Sequence, residues 1–301
     1  MTDTAWPSLA YAAWKDTCET LHMWTQVIGK IRMALEPRVN HWWHVASYVS
    51  ARGLTTGAMP VAGGAGRLEM ELDFIDHALV ARLSDGRIET FRLQGLSVQR
   101  FYESVMAMVR RLGVDVKIWP VPVEVVDAIR FTDDSRAGYD PEYVRRFWQV
   151  LLRSDAAMRR FRSPFLGKVS PVHFFWGGFD LAVTRFSGRT APKHPGGIPN
   201  VGNWVMHDAY SHEVSSCGFW PGGPSMDAAY YAYAYPEPDG YSTFPIGVEG
   251  AEYNTTMREY FLPYATVRAA SDPEALLAKF LERTYEAAAV QGKWDRAALE
   301  R

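Results

Sequence analysis

Cysteine is nearly missing from this chain: Cys18 and Cys217 are the two among 301 residues. They are too few for a disulfide framework, and without a CxxC spacing they give no cysteine-based zinc or redox centre. Such usage points to a reducing, cytoplasmic compartment. Nowhere do eighteen apolar residues run together, so no membrane span is expected, and the opening MTDTAWPSLAYAAWKD lacks the basic start and apolar run of a signal peptide. Blocks of one charge sign are missing too. With 32 basic and 34 acidic residues and a net charge of −2, a nucleic-acid backbone is not an expected partner. The densest basic group, Arg159, Arg160 and Arg162, reads as a solvated helix end, where cations suit the dipole. Gly63, Gly64 and Gly66 make no phosphate loop, because no Lys-Ser or Lys-Thr follows them.

What is abundant is aromatic: 11 Trp, 15 Tyr and 15 Phe. Rings that do not all enter one core line pockets or interfaces. Trp14, Cys18, Leu21, Trp24 and Ile28 recur at helical spacing and predict a helix ending near Gly29. Leu68, Met70, Leu72 and Phe74 alternate with Glu69, Glu71 and Asp73, the period of a strand with one wet face. Strands at 78–83 and 88–93 flank Asp85 and Gly86, a hairpin signal. Val98 to Leu112 repeats at helical spacing behind a Ser97 cap and stops at Gly113. Residues 114–139 read as a strand or extended connector. Asp140-Pro141-Glu142 and Asp272-Pro273-Glu274 then each give a cap, a first-turn proline and an acidic first turn.

Similar segments recur in the same order. Val27-Ile28-Gly29-Lys30 resembles Phe165-Leu166-Gly167-Lys168, each read as ending a helix; His41-Trp42-Trp43-His44 resembles His173-Phe174-Phe175-Trp176; Glu89-Thr90-Phe91 resembles Glu259-Tyr260-Phe261. This predicts an α+β fold of two diverged helix, strands, helix repeats, with antiparallel sheet or sheets covered by about four main helices. The first unit is 1–138 with its connector and the second 139–301, packed into one compact body. Whether both share one sheet stays open, as does the oligomeric state.

The stretches GKVSPVHFFWGGFDLAVTRFSGR, APKHPGGIPN and YSHEVSSCGFWPGG, with WPSLAYAAWKDTCETLHMWTQ and NHWWHVASYVSARGLTT, resemble a bacterial family catalogued as a domain of unknown function, number 5996. The likeness spans nearly the whole chain. The resemblance implies no activity, cofactor or site residue.

On a strand, His41 would share a face with Trp43, and His173 with Phe175, Phe179, Leu181 and Val183, which turns both histidines inward. Partly buried imidazoles can act as acid and base; each is equally explained as a core histidine bonded to a carbonyl. Metal binding would need a third ligand that the sequence does not place, so no metal is assigned and the cofactor is unknown. Lys30 and Lys168 offer anion contacts, or cations at helix ends. Residues 188–210, with Lys193, His194, Trp204 and His207, form a surface excursion or a lid. Beyond them, His212 and Glu213 take opposite faces of a polar strand, and Cys217 is either a small buried thiol or a nucleophile needing a base. Tyr231, Tyr233 and Tyr235 put phenols on one strand face, a ligand floor or a core edge.

Together these give two readings. In one, a small molecule binds an aromatic-lined pocket, with His41, His173 and Glu213 as candidate catalytic groups in a cofactor-independent acid and base enzyme. Lys30, Lys168, Trp43, Phe175, His212 and Tyr233 are then its ligand contacts. In the other the protein is a non-catalytic interaction module with structural histidines.

Overall fold

The computed structural model describes residues 6–61 and 66–301; Gly63 and Gly64 lie outside them. In chain order the helices and strands are α1 (Tyr11–Leu35), β1 (Tyr48–Val49), β2 (Gly53–Thr55), β3 (Met59–Pro60), β4 (Arg67–Asp73), β5 (Ala78–Leu83), β6 (Ile88–Arg92) and α2 (Val98–Arg111). The second half follows with α3 (Pro141–Arg162), β7 (His173–Phe175), β8 (Asp180–Thr190), α4 (Asn203–Ala209), β9 (His212–Gly223), β10 (Met226–Tyr235), β11 (Glu252–Asn254), β12 (Glu259–Pro263), α5 (Tyr264–Ala269), α6 (Pro273–Gln291) and α7 (Arg296–Leu299). The fold is α+β, with antiparallel sheets and four long helices, α1, α2, α3 and α6.

The described residues form two sheets. One has the order β1-β2-β4-β5-β6, with β3 on β4; the other runs β11-β12-β10-β9-β8-β7. In both, a long helix precedes strands laid down largely in chain order, and a helix follows. The sheets meet at their first strands, where Ser47 and Phe174 exchange both backbone hydrogen bonds, at 2.9 and 2.8 Å.

Local chemistry explains most boundaries. Ser97 accepts from the Arg100 amide and caps α2; Asp140 and Asp272 cap α3 and α6, each followed by a first-turn proline. Gly86 turns the β5 to β6 hairpin at a φ of 94°. Helix α1 runs past Gly29 to Leu35, so Gly29 does not end it. A side chain at Gly29 would collide with the Trp176 indole, and the glycine is there for that close approach. Most of α1 is buried, with Trp24 stacked on Phe101 of α2 and Trp14 beside Phe147 of α3; a helix covered on nearly all sides belongs between layers.

Two further expectations are corrected. The second face of β4 is not wet: Glu71 and Asp73 are buried, held by Arg82 and Arg52. His41 does not sit on a strand, since residues Asn40–Val45 form a 3-10 turn with His41 and Trp42 at positive φ. The pairing of His41 to His44 with the strand residues His173 to Trp176 therefore fails, and with it the face assigned to His41.

Candidate functional site

The second sheet has two unlike faces. Leu181, Val183, Cys217, Phe219, Tyr230 and Ala232 are buried on the side packed by α3 and α6, where Ser154 meets the Tyr230 hydroxyl at 2.8 Å. The other side carries Asp180 and Thr184 from β8, Ser216 and Gly218 from β9, Tyr231 and Tyr233 from β10, and Glu259 from β12. Register puts them together: Ala182 and Tyr231 both pair with Gly218, and Thr184 and Tyr233 with Ser216. Cross-strand partners share a face.

Gly218 decides the central contact. A side chain there would strike the Tyr231 hydroxyl, so its absence lets the Tyr231 ring lie across β9 and donate to Asp180 Oδ2 on β8. Beside this pair Tyr233 meets Tyr210 hydroxyl to hydroxyl at 2.8 Å, and Thr184 meets Ser216 at 2.9 Å.

A third carboxyl arrives from the connector after α2. The Gln26 side chain of α1 bonds both the amide and the carbonyl of Val123, each at 2.9 Å. Next to it, Glu124 has a φ of 61° and donates its amide to the Pro199 carbonyl at 2.8 Å. Its carboxylate then lies against Gly177 and Gly178, and Asp180 approaches the same Cβ position of Gly178. Nearby, the His22 ring bonds the Gly177 carbonyl at 2.8 Å and stacks on Phe179; burial lowers its pKa to about 4.

Burial raises Glu124 to about 7, with the Asp180 charge adding to it. Glu259 is pushed to about 7 by the same two causes. Asp180 rises to about 6 through burial, although the Tyr231 hydrogen bond pulls it down. Burial pushes Tyr231 and Tyr233 well above the ordinary phenol value, helped by Asp180 for the first and by Tyr210 for the second. Glu124 nevertheless keeps an exposed surface, and Asp180, Tyr231, Tyr233, Tyr210 and Glu259 stay partly accessible.

The roof over this face is the segment between β8 and β9, which contains α4. Arg38 lies between Trp42 and Trp204, 5.3 and 5.5 Å from their rings, and bonds Asp208 at 3.3 Å, pinning α4 to the 3-10 turn. His194 stacks on Tyr210 at 4.7 Å, and Tyr235 donates to the Pro192 carbonyl. Open depressions of about 480 Å³ beside Met106 and Lys117, and about 320 Å³ beside Tyr285 and Arg296, hold none of these groups.

The residues singled out from the sequence separate into clusters. Lys168 donates to Nε2 of His41 at 2.6 Å, leaving Nδ1 to donate to the Ala209 carbonyl; burial lowers the pKa of both residues. His212 meets the His41 ring edge-on at 5.6 Å. His173 is elsewhere, 1 % exposed among Trp43, Tyr48 and Phe175, with neither ring nitrogen bonded. Burial, helped by Arg32 and Arg162, lowers it to about 3. The Trp43 ring lies between the two histidines, 5.3 Å from one and 5.7 Å from the other, so they do not form a pair.

Glu213 accepts from Ser187 and Arg189 at the strand end. Lys30 sits within α1 and Lys168 six residues past the end of α3, so neither extends a helix terminus. The Cys217 thiol is buried and pushed up to about 12. Among the expected ligand contacts, Tyr233 lies on the carboxyl face and Phe175 borders it as the cross-strand partner of Asp180. Among the described residues, no three His, Cys, Asp or Glu side chains are grouped to hold a metal ion, and no helix is long and apolar enough to cross a membrane.

A family model matches residues 6–301, and its description is a family of unknown function, DUF5996. The chain belongs to that family. No curated protein and no solved structure matches it. Within this DUF5996 chain, sequence reading found the tyrosine stripe but missed Asp180, Glu259 and Glu124. The first two had a usable signal in strand parity; Glu124 had none, because its place depends on Gln26 and Pro199.

Proposed function

We propose that this protein binds a small polar molecule on the open face of its second sheet, with Asp180 and Glu124 acting on it as an acid and base pair. The observation that carries the reading is the convergence of Asp180, Glu124 and Glu259 from three separate segments onto one partly accessible, desolvated face walled by Tyr210, Tyr231 and Tyr233. Carboxylic acids that titrate near neutrality can both give and take a proton at working pH, which acid and base catalysis needs. Unequal surroundings support unequal roles: Asp180 is held lower by the Tyr231 hydroxyl, so it is the better base, while Glu124, without a hydrogen bond to its carboxylate, is the better acid.

The test is a screen of small polar metabolites by protein-observed NMR, comparing wild type with Asp180→Asn and Tyr231→Phe. The reading expects a ligand that shifts resonances of β8 to β10 and binds at least roughly tenfold more weakly to both variants, about the value of one charge-assisted hydrogen bond. Tyr231→Phe should also move the Asp180 titration upward from about 6, since the lost hydrogen bond favoured the ionised form. Ligands that perturb only the outer surface, or bind all three proteins alike, would sink it.

A further inference from the structure

A second chemically unusual group lies one helical turn from Gln26. Lys30 is 1 % exposed inside α1, and neither a hydrogen bond nor an ion pair involves its ammonium among the described residues. Its neighbours are two indoles, Trp119 with its centroid 5.3 Å from Nζ and Trp176 at 5.9 Å. A buried lysine is ordinarily paired with a carboxylate. Here the stabilisation of the charge is left to ring faces, which is weaker than an ion pair.

The surroundings are built rather than incidental. Trp176 is buried and fixed, donating Nε1 to the Val45 carbonyl at 2.7 Å, and it packs over Gly29, the residue before Lys30. Trp119 belongs to the connector without regular structure and is 54 % exposed. The fully enclosed polar atoms that lack partners include Nε1 of Trp14 and both His173 nitrogens but not Lys30 Nζ, so the amine tip keeps a trace of accessible surface. Burial also lowers its pKa to about 8, with no carboxylate acting to restore it.

We propose that Lys30 is a nucleophilic amine that forms a Schiff base with a small aldehyde or ketone admitted beside Trp119. The unprotonated Nζ adds to the carbonyl carbon to give a carbinolamine; both protons of the amine pass, relayed by solvent, to the former carbonyl oxygen, which leaves as water, so that C=O is exchanged for C=N with no oxidant or reductant. Apolar walls favour this step by raising the neutral fraction of the amine and excluding the water that would reverse it.

The experiment uses the whole chain, benzaldehyde as probe, and cyanoborohydride to fix any imine as a secondary amine, with labelled peptides located by mass spectrometry at neutral pH. Lys30 should be labelled roughly tenfold faster than Lys117, an exposed lysine on the same connector, because desolvation raises the neutral fraction of the amine. Trp119→Ala, which opens the entrance, should speed Lys30 labelling further and leave Lys117 unchanged. Lys30→Arg keeps the cation against the indoles and should abolish labelling of that peptide alone. Labelling of Lys30 no faster than Lys117 in both wild type and Trp119→Ala overturns the proposal.

Discussion

The Trp176 indole occupies the space that a side chain at Gly29 would need, so a residue from the second half of the chain is seated directly on the backbone of the first helix. The same indole is tethered to Val45, and the contact lies close to the Ser47 to Phe174 bridge that joins the two sheets.

Gly29→Ala sets two effects against each other. Alanine favours an exposed helix interior over glycine by about 1 kcal/mol, whereas forcing a methyl into a packed contact costs about 1–3 kcal/mol. Trp176 is tethered and cannot simply retreat, so the clash dominates. We expect a net loss of up to about 2 kcal/mol in denaturant unfolding followed by tryptophan fluorescence; a gain in stability would contradict the seating of Trp176.

His173 is buried neutral, with its pKa lowered from 6.5 to about 3. Between those values the unfolded chain binds the extra proton and the folded chain does not, so the stability from this residue is complete above 6.5 and is lost as pH falls. His173→Phe keeps a ring of similar size and removes two unpaired nitrogens. It should flatten the acid side of the stability profile, leaving the slope due to His22, His41 and the other histidines whose pKa burial lowers, and at pH 8 should stabilise by about 1 kcal/mol. Urea unfolding of both proteins across this range decides it.

Glu124 has the opposite sign. Its pKa is raised from 4.5 to about 7, so in that window the folded chain holds the proton more tightly and stability falls as pH rises, the contribution being complete below 4.5. Glu124→Gln cannot ionise. Its melting temperature should rise more, or fall less, than that of wild type from pH 4.5 to 7, because the opposing Glu124 contribution is gone while the histidine slope remains, and above pH 7 the variant should be at least as stable. An unchanged slope in differential scanning calorimetry would place Glu124 in ordinary solvent.

Much of the frame was written locally. Ser97, Asp140 and Asp272 cap the amides of their own first helical turns, and Asp85 with Gly86 turns its own hairpin; each acts within a few residues, so sequence alone placed them. The alternation of Tyr231 and Tyr233 likewise announced a polar strand face, and the histidine pair looked equally convincing. Its failure has a physical source, since two positive φ angles at His41 and Trp42 break the parity that the strand reading required.

Tertiary structure alone decided where the carboxyls meet. Asp180 reaches Tyr231 because register lays a glycine, Gly218, between them, and Glu124 joins them because Gln26 and Pro199 hold a strained connector in place. Helix α1 continues through Gly29 for a similar reason: the packed indole outweighs a local stop signal. Caps and periodicities are interactions between chain neighbours; sheet register, a missing side chain and the desolvation of an acid depend on atoms far away in sequence.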